Sequence, residues 1–170
     1  MKFKSVNIAG FRSYAYEGDG AFDFCHNDGS VSNFISIYAP NGFGKSSFYD
    51  AIEWAITNNI SRYIRDSQRS INHLTSLSMN TSSSAQRILR NRYISEDSPA
   101  YVLVETTGKT DYRKNVRRPA PGQRDYTYDP SKTDQKTKHL SDIFLSQDAI
   151  DAFLKEDRPE QRYERFMIDF

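Results

Sequence analysis

The chain has 170 residues, with 23 Lys and Arg against 22 Asp and Glu and a formal net charge of +1. That length suffices for one domain with a real core and hardly for two. The near-balanced charge gives no global case for nucleic-acid or membrane binding, so any such case rests on local patches. At 37% hydrophobic and 26% charged residues the composition is that of a globular protein. The single cysteine, Cys25, excludes an internal disulfide and a cysteine-rich zinc site, and it fits a reducing, cytoplasmic setting. No apolar run follows the charges of Met1–Val6, as a signal peptide would require, and no stretch reaches the roughly 20 apolar residues of a membrane span.

In chain order, Lys2–Ile8 alternates polar and apolar residues and predicts a strand with Phe3, Val6 and Ile8 toward the core. After the Gly18-Asp19-Gly20 turn, Ala21–Phe24 predicts a second strand, and Asn27–Ser30 another turn. Phe34-Ile35-Ser36-Ile37-Tyr38 predicts a strand that feeds a glycine-rich loop, and Phe48–Ile56 a helix. In that helix Phe48, Ala51, Ile52, Ala55 and Ile56 fall on one apolar stripe.

Between strand and helix stands Ala39-Pro40-Asn41-Gly42-Phe43-Gly44-Lys45-Ser46-Ser47, a phosphate-binding loop in strand–loop–helix context. Gly42 and Gly44 let successive backbone N–H groups converge on a phosphate with no Cβ in the way. A helix starting near Lys45 adds unpaired N–H groups and a positive dipole end. Lys45 can reach β- and γ-phosphates, and the Ser46 hydroxyl is placed to ligate Mg²⁺. The pattern departs from the usual motif at one point: its first glycine is Ala39, which requires a negative φ there.

From Ser61 to Arg92 the chain turns polar and basic, and Thr75–Ser84 reads as a loop. Tyr101–Glu105 and Asp111–Arg117 predict a hairpin around Thr107-Gly108-Lys109, and Gln123–Tyr128 a short edge strand. Lys132–Lys138 is polar and basic, Asp142–Leu145 predicts a short strand, and Asp157-Arg158-Pro159-Glu160 has capping-box spacing before a helical face of Tyr163, Phe166, Met167 and Phe170.

Four segments in order resemble one family, the ABC-type ATPase heads of SMC-like proteins. They are Ile8-Ala9-Gly10-Phe11-Arg12-Ser13; Asn41–Ser47 with Asp50-Ala51-Ile52-Glu53-Trp54-Ala55; the hairpin from Tyr101 to Arg117; and Ser146-Gln147-Asp148-Ala149-Ile150-Asp151-Ala152-Phe153-Leu154. The last is similar to the Q-loop of the double-strand-break repair ATPases in this group, and bacterial anti-phage members are a further possibility within it. The resemblance implies an α/β fold: a P-loop NTPase of ABC-ATPase type, here its N-terminal lobe, with a mixed or antiparallel β subdomain and flanking helices over residues 1–170. It implies ATP and Mg²⁺ as cofactors. Asn41, Gly42, Phe43, Gly44, Lys45, Ser46, Ser47 and Arg12 would bind the nucleotide, Ser46 and Gln147 the metal, and Lys45 and Gln147 would act in catalysis.

No Asp-Glu pair follows four apolar residues, and no L-S-G-G-Q-like signature occurs. In SMC-like proteins both lie in a C-terminal lobe beyond a coiled coil. The resemblance therefore implies half of an ATPase site, completed by that lobe and by a second head in a homodimer, with the fragment alone nearly inactive. Arginines of 61–92 with Lys109, Arg113, Lys114, Arg117 and Arg118 are candidate DNA contacts, and a nucleoid-associated location follows if the source is bacterial. The same basic residues equally fit a solvated hairpin face. A head of this fold coupled to a nuclease subunit is the alternative reading, and a stand-alone P-loop kinase a third.

Overall fold

The computed structural model describes residues 1–61, 63, 86–132, 136–141 and 143–145. Four strands form one antiparallel sheet: β1 (Phe3–Ala9), β2 (Gly20–Asp23), β3 (Tyr101–Thr106) and β4 (Tyr112–Asn115), in the order β2-β1-β3-β4. The expected hairpin is β3–β4, and the two N-terminal strands are β1 and β2, each within a residue or two of its predicted bounds. A register shift between Phe3 and Ser5 explains how Phe3 packs on the same core as Val6 and Ile8 despite its odd position. Val6 opposes Val104 and Ile8 opposes Val102, and all four are fully buried.

Helix α1 (Lys45–Thr57) lies against β1, β3 and β4 and supplies Ala51, Trp54, Ala55 and Ile56 to the core. Trp54 stacks on Phe11 with ring centroids 5.7 Å apart. Each large aliphatic side chain buried in such a core contributes about 1.5–3 kcal/mol. The predicted apolar stripe is present, yet the helix buries more than a stripe: Asp50, Glu53 and Thr57 are buried too. Asn59, Ile60, Tyr63 and Tyr126 cover its far side, where the Tyr126 hydroxyl accepts the Ile60 N–H at 3.0 Å.

The end of α1 is fastened by several groups. Asn58 closes it in the left-handed region at φ 67. The Lys114 ammonium donates to the Trp54 carbonyl at 2.9 Å and to Asn58 Oδ1 at 2.8 Å, and Thr137 Oγ1 donates to the Ile56 carbonyl at 2.7 Å. A cation at the negative end of a helix is favourable, and here it also satisfies a terminal carbonyl.

Segment 86–98 is irregular and held by arginines. Arg87 donates to the carbonyls of Asn91, Arg92 and Ile94, and Arg90 to those of Ser95, Glu96 and Ser98. The Asp125 carboxylate accepts the backbone N–H groups of Ile88, Leu89 and Arg90; burial pushes its pKa up while these bonds pull it down.

Three predicted strands are absent. Residues 34–38 are irregular and exposed, with no ladder partner among the described residues. Gln123–Tyr128 forms only an isolated bridge, Gln86 to Arg124, because Asp125 is drawn into the three N–H groups instead. Ile143–Leu145 is not a strand; it follows a single helical turn, α2 (Lys138–Ser141), and Phe144 packs edge-on against Tyr49. The readings at Thr75–Ser84, Gln147, residues 146–154 and the capping box at 157–160 lie outside the described residues.

Candidate phosphate-binding site

The helix begins at Lys45, as the glycine pattern requires. Gly44 is its N-cap at φ 88, a left-handed conformation that a side chain would strain, and Gly42 sits at φ 89. Ala39 is not among the residues with positive φ, so an alanine is accommodated where the motif usually has glycine. The first turn of α1 carries no acidic residue, which leaves the positive end of a 13-residue helix uncompensated. Asn41, Gly42, Phe43, Lys45 and Ser46 are all exposed.

Lys45 Nζ folds back over the loop, donating to the Ala39 carbonyl at 2.6 Å and the Pro40 carbonyl at 3.0 Å. An ammonium has three donors. Two therefore close the loop entrance and one remains for an incoming phosphate. Open N–H groups, a free helix end, a loop lysine and an exposed Ser46 hydroxyl beside it fit a nucleotide phosphate with its magnesium ion.

The other predicted residues divide. Ser47 is only 5% exposed and its hydroxyl meets Ser13 Oγ at 2.9 Å, so it faces the protein. Arg12, in the left-handed region at φ 47, pairs with Asp50 and donates to the Tyr63 hydroxyl at 2.9 Å. Its backbone is pinned as well: its N–H bonds to the Leu89 carbonyl at 2.7 Å, and its own carbonyl accepts from Asn91 Nδ2 at 2.6 Å. Asp50, 1% exposed, is thus a buried carboxylate on the side of the helix that also carries Glu53 and Thr57, with Arg12 as an ionic partner. The sequence motifs contain Ser13 and Asp50 but assign them no role, and Tyr14 and Tyr63 carry no signal in them. An aspartate amid Phe48, Ala51 and Ile52 was the available signal, since a buried carboxylate calls for a cation.

Of the candidate DNA contacts, Arg113, Lys114, Arg117 and Arg118 are not brought into one patch. Arg113 opposes Leu103 and stacks over the Tyr101 ring on the open face of the sheet, 4.7 Å from its centroid. Its neighbour Lys114 opposes Val102 on the helix-covered face, at the end of α1. Arg117 donates to the Arg124 carbonyl, and Arg118 pairs with Glu96 and Asp97. Alternation along β4 separates the first two: adjacent residues on a strand point to opposite faces. Of the arginines in 61–92, Arg87 and Arg90 are held in their own segment.

A family model described as an AAA domain matches residues 5–168. No curated protein and no solved structure matches the chain.

Proposed function

Because the chain belongs to this AAA-domain family of SMC-like ATPases, we propose that it forms the ATP-binding half of an ABC-type head whose hydrolytic site other polypeptide completes. The observation that carries this reading is the open N-terminus of α1, where Gly44, Lys45 and an unpaired positive helix end meet with no acid to fill them. ATP with Mg²⁺ is the ligand of this family, and Lys45 and Ser46 are the residues to receive its phosphates and metal. When bound, the magnesium ion would neutralise charge on the phosphate oxygens.

The need for further polypeptide is supported by Phe34, Ile35, Ile37 and Tyr38, which precede the loop and are all exposed, Phe34 at 85% and Tyr38 at 94%. Apolar residues on both sides of an extended run fit a strand flanked and covered on both faces. The described residues provide no strand neighbours for this run and little cover for Phe34 and Tyr38. A C-terminal lobe would supply them, and a second head would close over the nucleotide. Dimerisation and DNA engagement belong to this proposal on the strength of the resemblance, and a nuclease partner belongs to the alternative reading. Among the candidate DNA contacts Arg113 best keeps an outward position, so charge reversal there is the most direct probe of that part.

Titration with MgATP tests the core of the reading. Lys45→Ala should weaken binding by about 10- to 150-fold, the loss of one charge-assisted contact; unchanged affinity rejects the phosphate-loop assignment. The kinase alternative is separated by turnover. Hydrolysis by this chain alone at about 1–100 s⁻¹ would favour a self-sufficient enzyme over a half-site.

A further inference from the structure

A tight turn behind the phosphate loop has a role that the motif residues do not account for. Phe11 and Tyr14 exchange backbone hydrogen bonds, each at 2.9 Å, which fixes Ser13 in the tip of the turn and Tyr14 at its close. Tyr14 is 7% exposed, and its hydroxyl donates to the Gly44 carbonyl at 3.2 Å. Its ring lies edge-on to Phe22, which in turn lies edge-on to Phe48 in the first turn of α1. A Cβ built on Gly44 would come within 3.2 Å of the Tyr14 ring and hydroxyl, so the tyrosine rests directly on the loop backbone. Ser13 makes the second contact, hydroxyl to hydroxyl with Ser47 at 2.9 Å.

A trans peptide is planar, with its C=O and N–H pointing to opposite sides. A group that holds the Gly44 carbonyl from behind therefore also aims the Lys45 N–H, on the same peptide plane, away from the turn. That N–H is among the free donors at the start of α1, where an anion would bind. We propose that Ser13 and Tyr14 are positioning residues for phosphate binding, with the Tyr14 hydroxyl orienting the Gly44–Lys45 peptide and Ser13 steadying the first helical turn. Neither residue touches the ligand. Burial raises the Tyr14 pKa, which keeps its hydroxyl a donor across the physiological range.

The inference rests on the ATP-binding reading above, and one set of titrations separates the two. The full chain is titrated with MgADP and, independently, with inorganic pyrophosphate, which has phosphates and no base. Tyr14→Phe keeps the ring against Phe22 and removes only the hydroxyl. It should weaken both ligands by the same factor, about 3- to 10-fold for one hydrogen bond, with the ligand-free melting temperature within about 2 °C of the parent. Ser13→Ala, at an exposed position, should weaken both by about 2- to 3-fold and serves alone should Tyr14→Phe not fold. Parental affinity in these variants overturns the proposal. So does a loss confined to MgADP, which would place the effect at the base, and so does a loss that disappears on cooling as folding is restored. Lys45→Ala is the control: if it binds both ligands as the parent does, the ATP-binding reading fails and the positioning role fails with it. If Lys45→Ala loses binding while Tyr14→Phe and Ser13→Ala do not, only the positioning role is lost.

Discussion

Residues 33–43 and 44–57 adjoin in the chain and are built in opposite ways. The second stretch is fixed from every side: Tyr14 and Ser13 at its start, Arg12 on Asp50 one turn in, Lys114 and Thr137 at its end. The first stretch has no strand partner among the described residues, and its aromatic side chains Phe34, Tyr38 and Phe43 stand in solvent. The positioned stretch is where phosphate would meet backbone N–H groups, and the bare one is where neighbouring strands would lie. The backbone at the start of α1 is thus held by contacts within these residues, while among the described residues nothing pairs with the loop's approach.

The largest way to break this contrast is to loosen the fixed half. Arg12→Ala removes an ionic partner of Asp50 and a support of Tyr63. Removing one member of a buried pair costs several kcal/mol; with Arg12 itself one-fifth exposed, the low end of about 3 kcal/mol is expected. Denaturant unfolding of the full chain measures it, and a change below about 0.5 kcal/mol would mean that the pair contributes nothing net. Arg12→Lys should recover only part of the loss, because one ammonium cannot reproduce the planar fork toward both Asp50 and Tyr63.

Next in size is the far end of the helix. Lys114→Met keeps the aliphatic stem beside Trp54 and removes the cation from the α1 C-terminus. A loss of about 1–2 kcal/mol is expected, more than a solvated strand lysine would give. The same variant sharpens the reading of the hairpin. If Lys114 is a helix-end cation, Lys114→Met lowers stability, whereas Arg113→Glu on the other face leaves stability within about 0.5 kcal/mol and alone bears on DNA affinity. Equal effects of both on DNA binding, with stability untouched, would restore the single basic patch.

What could be read from the chain follows the range of the interactions involved. The loop, α1 and the β3–β4 hairpin are local, specified by glycine spacing, apolar period and a Thr-Gly-Lys turn, and they formed as predicted. The strand predicted at 34–38 has strand-like residues, but a strand needs neighbours, and pattern alone supplies none. The edge strand at 123–128 failed for a different reason. Asp125 finds three backbone donors in residues 88–90, a contact across 35 positions that no local rule contains. The same holds for the basic residues: charge is visible in sequence, while the carbonyls and acids that engage Arg87, Arg90 and Arg118 are not.

The smallest expected effect bears directly on the bare stretch. Phe34→Ser and Tyr38→Ser each remove a side chain that touches little, so the chain alone should change by less than about 0.5 kcal/mol in stability. Its solubility should rise as exposed apolar area falls. Nucleotide affinity should also hold, because neither residue supports Gly44 or Lys45. The effect should emerge only in protein that contains the completing lobe, where burial of each side chain contributes about 1.5–3 kcal/mol and its loss would lower assembly and ATP turnover together. A large destabilisation of the chain alone would contradict the exposure of 34–38 and place those residues in its own core. No effect in either setting would mean that nothing packs on them, and the case for a completing lobe would then rest on the family alone.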